Sequence, residues 1–216
     1  MARISKSPEE RKKELLDAAQ ELFFKKGFEN CSVSDIVKSI GVAQGTFYYY
    51  FDSKDSILDA LVLQYADMLA EKLEDIMALK ELSPVEKMAK MLKTRGEFLS
   101  SSGSKIGSLI YGSSTDSINK KHISIIQERL KPYILKVFME GNERGLIKLD
   151  YPEEIMELLF FMGNQILFAV NSGAPLEIVE RKIKAFGEAV LKILSIPEGI
   201  NINFFDDLKY IKKEGE

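Results

Sequence analysis

The chain has 216 residues, of which 45% are hydrophobic and 29% are charged, and its formal net charge is −3. This composition is typical of a globular protein and excludes a disordered chain. A single cysteine, Cys31, and a single histidine, His122, exclude an intramolecular disulfide and a zinc site built from these residue types. We therefore expect no metal and no cofactor, and a reducing, cytoplasmic environment.

The first helix is predicted between residues 7 and 27. The segment Ser7-Pro8-Glu9-Glu10 supplies an N-cap, a first-turn proline and an acidic first turn, and Gly27 is a typical helix end. Residues 1–13 are basic and lack the apolar stretch of a signal peptide. Their charge suits contacts with phosphate groups.

Two short helices joined by a tight turn are predicted over residues 32–54. Ser32 and Asp35 form a capping box at the start of the first of these helices. Gly41 then allows the turn, because a positive φ angle is least costly for glycine. The second helix is predicted over residues 43–50. This arrangement is typical of a DNA-reading helix-turn-helix.

The second of these helices has a packing side, with Phe47 and Phe51, and an outward side suited to a DNA groove. In that groove the amide of Gln44 can hydrogen-bond adenine, and the methyl group of Thr46 can contact thymine. Gly45 lets the backbone approach DNA, while the tyrosines and Lys54 can reach phosphates. The predicted DNA-binding residues are Ser32, Val42, Ala43, Gln44, Gly45, Thr46, Tyr48, Tyr49 and Lys54.

Residues 8–60 resemble the DNA-binding domain of the TetR family, the tetracycline-repressor-like regulators. The motifs that carry the resemblance are Ala18, Phe23, Gly27-Phe28, Ser32-Val33, Asp35-Ile36, Gly41-Val42, Gly45 to Phe51 and Ser53-Lys54. Val37 and Gln44 depart from the usual pattern, and Gln44 implies an individual operator preference. The resemblance also implies a dimer that binds DNA and a body that contains an effector cavity.

The rest of the chain has helical periodicity throughout, which predicts an all-α protein. A long helix after Ser53 is expected to join an N-terminal head, residues 1–53, to a C-terminal body for effector binding and dimerisation, residues 54–216. Pro132 is expected to kink one of the body helices. The helices predicted in the body span residues 83–99, 105–111, 118–144, 152–172 and 175–195, and a short amphipathic helix is suggested over 204–211.

Methionine, aromatic and a few polar side chains of the body suit an apolar cavity for a small molecule. The same residue types also build an ordinary core, so both interpretations stay open for each residue. Arg95 and His122 are expected to orient an anionic or hydrogen-bonding end of the effector. The predicted effector-binding residues are Met88, Met91, Arg95, Phe98, Tyr111, His122, Ile126, Tyr133, Asn164 and Phe168.

Residues 155–170 include 12 apolar residues out of 16, too many for a helix with one buried stripe. A membrane span is excluded because the run is shorter than about 20 residues and is interrupted by polar side chains. We predict a homodimer with a four-helix interface, two helices from each subunit, and an intrachain core is the alternative. The predicted interface residues are Phe161, Gly163, Leu176, Val179, Ile183, Phe186, Gly187 and Val190.

These features predict a sequence-specific transcriptional regulator, in the simplest case a repressor that a hydrophobic effector releases from a palindromic operator. The sequence contains no nucleophile elbow and no phosphate-binding glycine loop, so we do not expect an enzyme. The alternative is a TetR-fold protein that binds a lipid or another hydrophobe and does not read DNA.

Overall fold

A computed structural model of the chain describes residues 6–100, 104–111 and 116–196. These residues form nine α-helices and no strand, which confirms the all-α prediction. The segment predicted as an amphipathic helix over 204–211 lies outside the described residues. The helices are α1 Pro8–Lys26, α2 Val33–Ser39, α3 Gln44–Tyr50, α4 Lys54–Ala78, α5 Pro84–Ser100, α6 Ser104–Tyr111, α7 Asp116–Glu143, α8 Pro152–Asn171 and α9 Leu176–Ile193.

Local hydrogen bonds begin several of these helices where the sequence predicts a start. A serine hydroxyl accepts the backbone N–H three residues further on, which satisfies a donor that has no partner within the helix. The capping serines are Ser7, Ser32, Ser53 and Ser83, which precede α1, α2, α4 and α5. Gly41 turns the chain between α2 and α3 with a φ angle of 67°, a conformation that glycine adopts at low cost.

The head is a small three-helix unit built around side chains with no solvent exposure. Leu15 and Phe23 of α1, Ile36 of α2 and Phe47 of α3 are all fully buried. Ile57, in the first turn of α4, is also fully buried, and both α1 and α2 pack into the same core. The start of α4 is therefore part of the packing of the head.

Helix α4 connects the head with the body and packs most extensively against α7. Two ion pairs join the helices: Lys121 Nζ lies 2.5 Å from Asp59 Oδ2, and Arg129 Nε lies 2.5 Å from Asp67 Oδ1. The second pair lies eight residues further along both helices than the first, so α4 and α7 run in the same direction. Helix α7 continues through Pro132 as one element.

Candidate DNA interface and effector cavity

The outward side of α3 is polar and open to solvent. Gln44, Gly45, Tyr48 and Tyr49 are exposed, and Tyr49 is 77% exposed, while Phe47 of the same helix is fully buried. Ala43 and Gln44 begin α3, where no side chain caps the first N–H groups. Because these donors and the Gln44 amide point away from the core at the helix start, they are available to a DNA groove.

Ser32 has a defined structural role at the start of α2. Its hydroxyl accepts the N–H of Asp35 at 3.1 Å and donates to Asp35 Oδ2 at 2.7 Å, and Lys26 Nζ lies 3.1 Å from the other carboxylate oxygen. These hydrogen bonds, led by the one from the Ser32 hydroxyl, hold the pKa of Asp35 well below its ordinary value. Ser32 therefore stabilises the start of α2, and its predicted contact with DNA stays a prediction.

Lys54 lies in a different environment from the one that the sequence predicts. Its Nζ donates to the backbone oxygen of Phe28 at 2.7 Å and lies 4.2 Å from the centre of the Phe28 ring. A second carbonyl, that of Glu29, lies 3.4 Å from the same nitrogen. The ammonium group thus ties the start of α4 to the loop between α1 and α2, so its first role is to hold the head together.

A small apolar cavity of about 70 Å³ lies in the body. This volume is below the range of about 300–1,000 Å³ typical of small-molecule sites, so a ligand of that size requires the walls to move apart. Among the described residues of its wall, Arg95 is the only charged side chain. The lining residues are Leu69, Leu73, Met88, Met91, Leu92, Arg95, Leu130, Ile134, Phe138, Met156, Leu159, Phe160, Phe186, Val190 and Leu194.

Three of the predicted effector-binding residues, Met88, Met91 and Arg95, line this cavity. Tyr111 and Asn164 meet Arg95 at its edge: the phenol lies 3.4 Å from Arg95 Nη2, and the Asn164 amide oxygen accepts a short hydrogen bond from the same nitrogen. Phe98 and Phe168 support this cluster through ring contacts at 5.1 Å with Tyr65 and at 5.2 Å with Tyr111. These residues therefore surround one polar point at the end of an apolar chamber.

His122, Ile126 and Tyr133 are not part of the cavity wall, which corrects their prediction as effector contacts. His122 is buried between α7 and α4, where its Nε2 lies 3.1 Å from Asp59 Oδ1. The α7 residues that do line the cavity, Leu130, Ile134 and Phe138, were missed. Their spacing of four was visible in the sequence, but an apolar stripe looks the same whether it faces a cavity or a packed core.

The predicted dimer seam requires a second correction. Val179, Ile183, Phe186, Gly187 and Val190 are buried inside the protomer, and two of them line the cavity. Gly163 also faces inward, because a Cβ atom there would lie 3.3 Å from Arg95 Nη1 and 3.7 Å from Phe186 Cζ. Only Phe161 and Leu176 of the predicted set are exposed, at 63% and 42%.

The outward face of α8 and α9 carries apolar side chains that the protomer leaves uncovered. On α8, Leu158 is 57% exposed and Phe161 63%, three residues apart on one side of the helix. On α9, Ile178 and Ala185 are exposed seven residues apart. No helix in the part of the chain that the structure describes has the length and apolar character to cross a membrane.

Acid is expected to destabilise the protein through His122. Burial lowers the pKa of His122 below its ordinary value of about 6.5, although the carboxylate of Asp59 acts in the opposite direction. Its Nδ1 is buried without a hydrogen-bond partner, so a second ring proton has no acceptor. Asp55 and Lys121 are the other charges acting on the ring. Because the unfolded chain binds the proton more readily, stability falls as the pH drops below about 6.5.

Urea unfolding of the natural protein and of His122→Gln at pH 7.5 and pH 5.5 tests this expectation. Gln removes the titrating group and keeps a donor for Asp59. We expect the natural protein to lose more stability than the variant on acidification. Equal losses in both proteins would assign the acid sensitivity to carboxylates elsewhere.

The chain thus combines a helix-turn-helix head with a helical body that contains an apolar cavity. Residues 15–61 match the family model of bacterial regulatory proteins, tetR family. The match covers the head and the start of α4, so this part of the chain is a domain of that family.

Two relatives and one solved structure illustrate the similarity. An uncharacterized HTH-type transcriptional regulator of Bacillus subtilis, YvdT, is 51% identical over 47 residues, which are 22% of this chain and 24% of that protein. The HTH-type transcriptional repressor DhaR of a Mycobacterium species is 23% identical over 144 residues, 66% of this chain and 72% of that protein. Thermus thermophilus FadR, a TetR-family repressor solved with lauroyl-CoA, has a TM-score of 0.67 at 18% identity and covers 88% of this chain and 97% of its own.

Proposed function

We propose that this protein is a transcriptional repressor that binds a palindromic operator as a homodimer and leaves it when a hydrophobic small molecule enters the body. The observation that carries the proposal is α3, which exposes Gln44, Tyr48 and Tyr49 on one side and buries Phe47 on the other. A short helix presented in this way by a helix-turn-helix is suited to the major groove. The repressor DhaR, similar over most of the chain, supports the direction of regulation.

The dimer is proposed through the outward face of α8 and α9. Leu158, Phe161 and Ile178 leave apolar surface in water there, and burying that surface in a two-fold interface is favourable. A two-fold protein carries two recognition helices related by the same symmetry, so its DNA site has two inverted half-sites. This is why we propose a palindromic operator.

The coupling from ligand to DNA is proposed through α4. Leu69 and Leu73 of this helix line the cavity, while Ile57 in its first turn is packed in the core of the head. A ligand that binds better when α4 has shifted therefore favours a different spacing of the two heads. It releases DNA only to the extent that its affinity differs between the two arrangements.

The direct test of this function is selection of bound sequences from a random pool of duplex DNA. We expect an inverted repeat. Gln44→Ala is expected to relax the preference at one position of each half-site, at a cost of about 1–3 kcal/mol per lost contact. As a matched control, Tyr49→Phe removes only an exposed phenol oxygen and is expected to weaken all sequences alike. Competition binding on mutated operators measures both effects.

Two outcomes would contradict the proposal. Unchanged base preference in Gln44→Ala removes this residue from the base-reading set. Selection that yields no common sequence, together with tight retention of a hydrophobic compound, instead favours a TetR-fold hydrophobe-binding protein that does not read DNA.

A further inference from the structure

The wall of the cavity is apolar except at one point. Fourteen of the fifteen lining residues are hydrophobic, and the remaining one is Arg95 of α5. The side chain of Arg95 is partly buried, and its guanidinium carbon lies 4.3 Å from the centre of the Phe160 ring. A permanently charged group thus lies in the wall of a chamber whose other described lining residues are apolar and carry no charge.

All hydrogen-bond partners of Arg95 in the described part of the chain are neutral. Nη2 bonds to the amide oxygen of Asn164 and lies 3.4 Å from the Tyr111 hydroxyl. No described carboxylate lies within ion-pair distance of the guanidinium, and Nε and Nη1 donate to no described residue. An arginine has five N–H donors, so donors remain for a partner that the described protein does not supply.

Withdrawing the charge of Arg95 from water costs free energy unless a group of opposite charge binds next to it. A charge that is partly withdrawn from water is compensated best by an opposite charge that accepts its hydrogen bonds. Asn164 and Tyr111 supply oxygen dipoles that hold the guanidinium in place. Because Gly163 has no side chain, space remains beside Nη1 of Arg95; a Cβ atom at this position would lie 3.3 Å from that nitrogen. The described neighbours of Arg95 thus position its charge and supply no counter-ion for it.

We propose that the ligand of this cavity is an apolar molecule that ends in a carboxylate, which pairs with Arg95 while the hydrocarbon part enters the chamber and moves its walls apart. This inference rests on the proposed function, because it names the chemical class of the effector. A cationic amphiphile is disfavoured by the same guanidinium, and a neutral hydrophobe leaves it without a counter-ion. His122 takes no part, because it faces Asp59 of α4 outside the cavity wall.

The position of the carboxylate also links the ligand to the connector helix. Tyr65 of α4 is buried beside the Arg95 cluster, with its ring 5.1 Å from that of Phe98. Leu69 and Leu73, one and two turns further along α4, line the cavity itself. A bound carboxylate that draws the guanidinium towards it therefore acts next to the helix that carries the head.

The test uses one hydrocarbon chain with three end groups: dodecanoate, 1-dodecanol and dodecylammonium, each below its aggregation concentration. Calorimetry measures binding to the full-length natural protein, and fluorescence anisotropy measures release of the selected operator. We expect dodecanoate to bind about 10- to 100-fold more tightly than dodecanol, the range expected for a hydrogen-bonded charge partner. Dodecylammonium should bind most weakly.

Two variants assign this preference to Arg95. Arg95→Met is expected to bring dodecanoate to the affinity of dodecanol and to leave dodecanol unchanged. Lys90→Met, which removes a charge from the exposed side of the same helix, is the matched control and should bind as the natural protein does. If Arg95→Met fails to fold, Arg95→Lys keeps the positive charge and should still prefer dodecanoate over dodecanol.

The outcomes separate this inference from the proposed function. Equal binding of dodecanoate and dodecanol, or full dodecanoate affinity in a folded Arg95→Met protein, overturns the carboxylate assignment but leaves a hydrophobic effector in place. If none of the three compounds binds, the carboxylate inference fails together with this route of effector control, while operator selection still decides the DNA-binding function by itself.

Discussion

Replacing Phe47 with alanine is expected to unfold the head and abolish operator binding. Phe47 has no solvent exposure, and its ring contacts those of Tyr48 and Phe51 at centroid distances of 5.5 Å and 5.8 Å. Truncating a buried phenylalanine costs about 3–5 kcal/mol, because burial is lost and the small core cannot close the cavity left behind. That cost is a large fraction of the stability of a small domain, which is about 5–15 kcal/mol.

Hydrogen exchange of the amides in α1 to α3, with operator binding in parallel, measures this effect. Tyr49→Ala is the control on the same helix: its side chain is 77% exposed, so its stability should change by no more than about 0.5 kcal/mol. We expect protection in the head to collapse in Phe47→Ala and to persist in Tyr49→Ala. Natural protection in Phe47→Ala would show that α3 is held by contacts other than this ring.

A charge at Phe161 is expected to give monomers that no longer bind the operator. This ring is 63% exposed in the protomer and lies on the outward face of α8, which we propose as part of the dimer interface. Phe161→Glu would place two like charges in an apolar interface, at a cost of several kcal/mol. At about 1.4 kcal/mol per tenfold change, the dimer dissociation constant should rise by about 100-fold or more. One half-site then supplies only part of the DNA contacts.

Sedimentation at several protein concentrations, followed by operator binding, decides this prediction. Met139→Glu is the control, because Met139 of α7 is 56% exposed and lies outside the proposed interface. It should remain dimeric and bind DNA normally. Dimers that persist in Phe161→Glu with full operator affinity would place the interface on another surface. Phe186 is unsuitable for this test, because it lines the cavity inside the protomer and a charge there would unfold the body.

The two sets of charged contacts described above have separate roles. The pairs that join α4 and α7, Asp59 with Lys121 and Asp67 with Arg129, lie at the surface, where such pairs contribute about 0–1 kcal/mol each. They are suited to selecting one register of α4 against α7 and would be broken and remade at little cost. The Arg95 cluster is more enclosed, so a change in its charge balance has a larger effect.

The sequence by itself determined the ends of the helices and the helix-turn-helix. Ser32 with Asp35 and Ser83 with Glu86 start helices through hydrogen bonds that span three residues, and Gly41 turns the chain through its own φ angle. These signals are local, because the interacting groups are neighbours in the chain. The periodicity of apolar residues also depends on residues that are close in sequence, so the all-α class could be predicted in the same way.

Only the tertiary structure decided which residues contact each apolar face and each charged group. The stripe on α9 that includes Phe186 and Val190 packs into its own protomer, and Lys54 donates to a carbonyl 26 residues away in sequence. Periodicity shows that a face is buried but carries no information on the partner that buries it, and a basic side chain reaches whichever acceptor the fold brings near. Arg95 and Asn164, 69 residues apart, form one cluster for this reason, because long-range packing sets their distance.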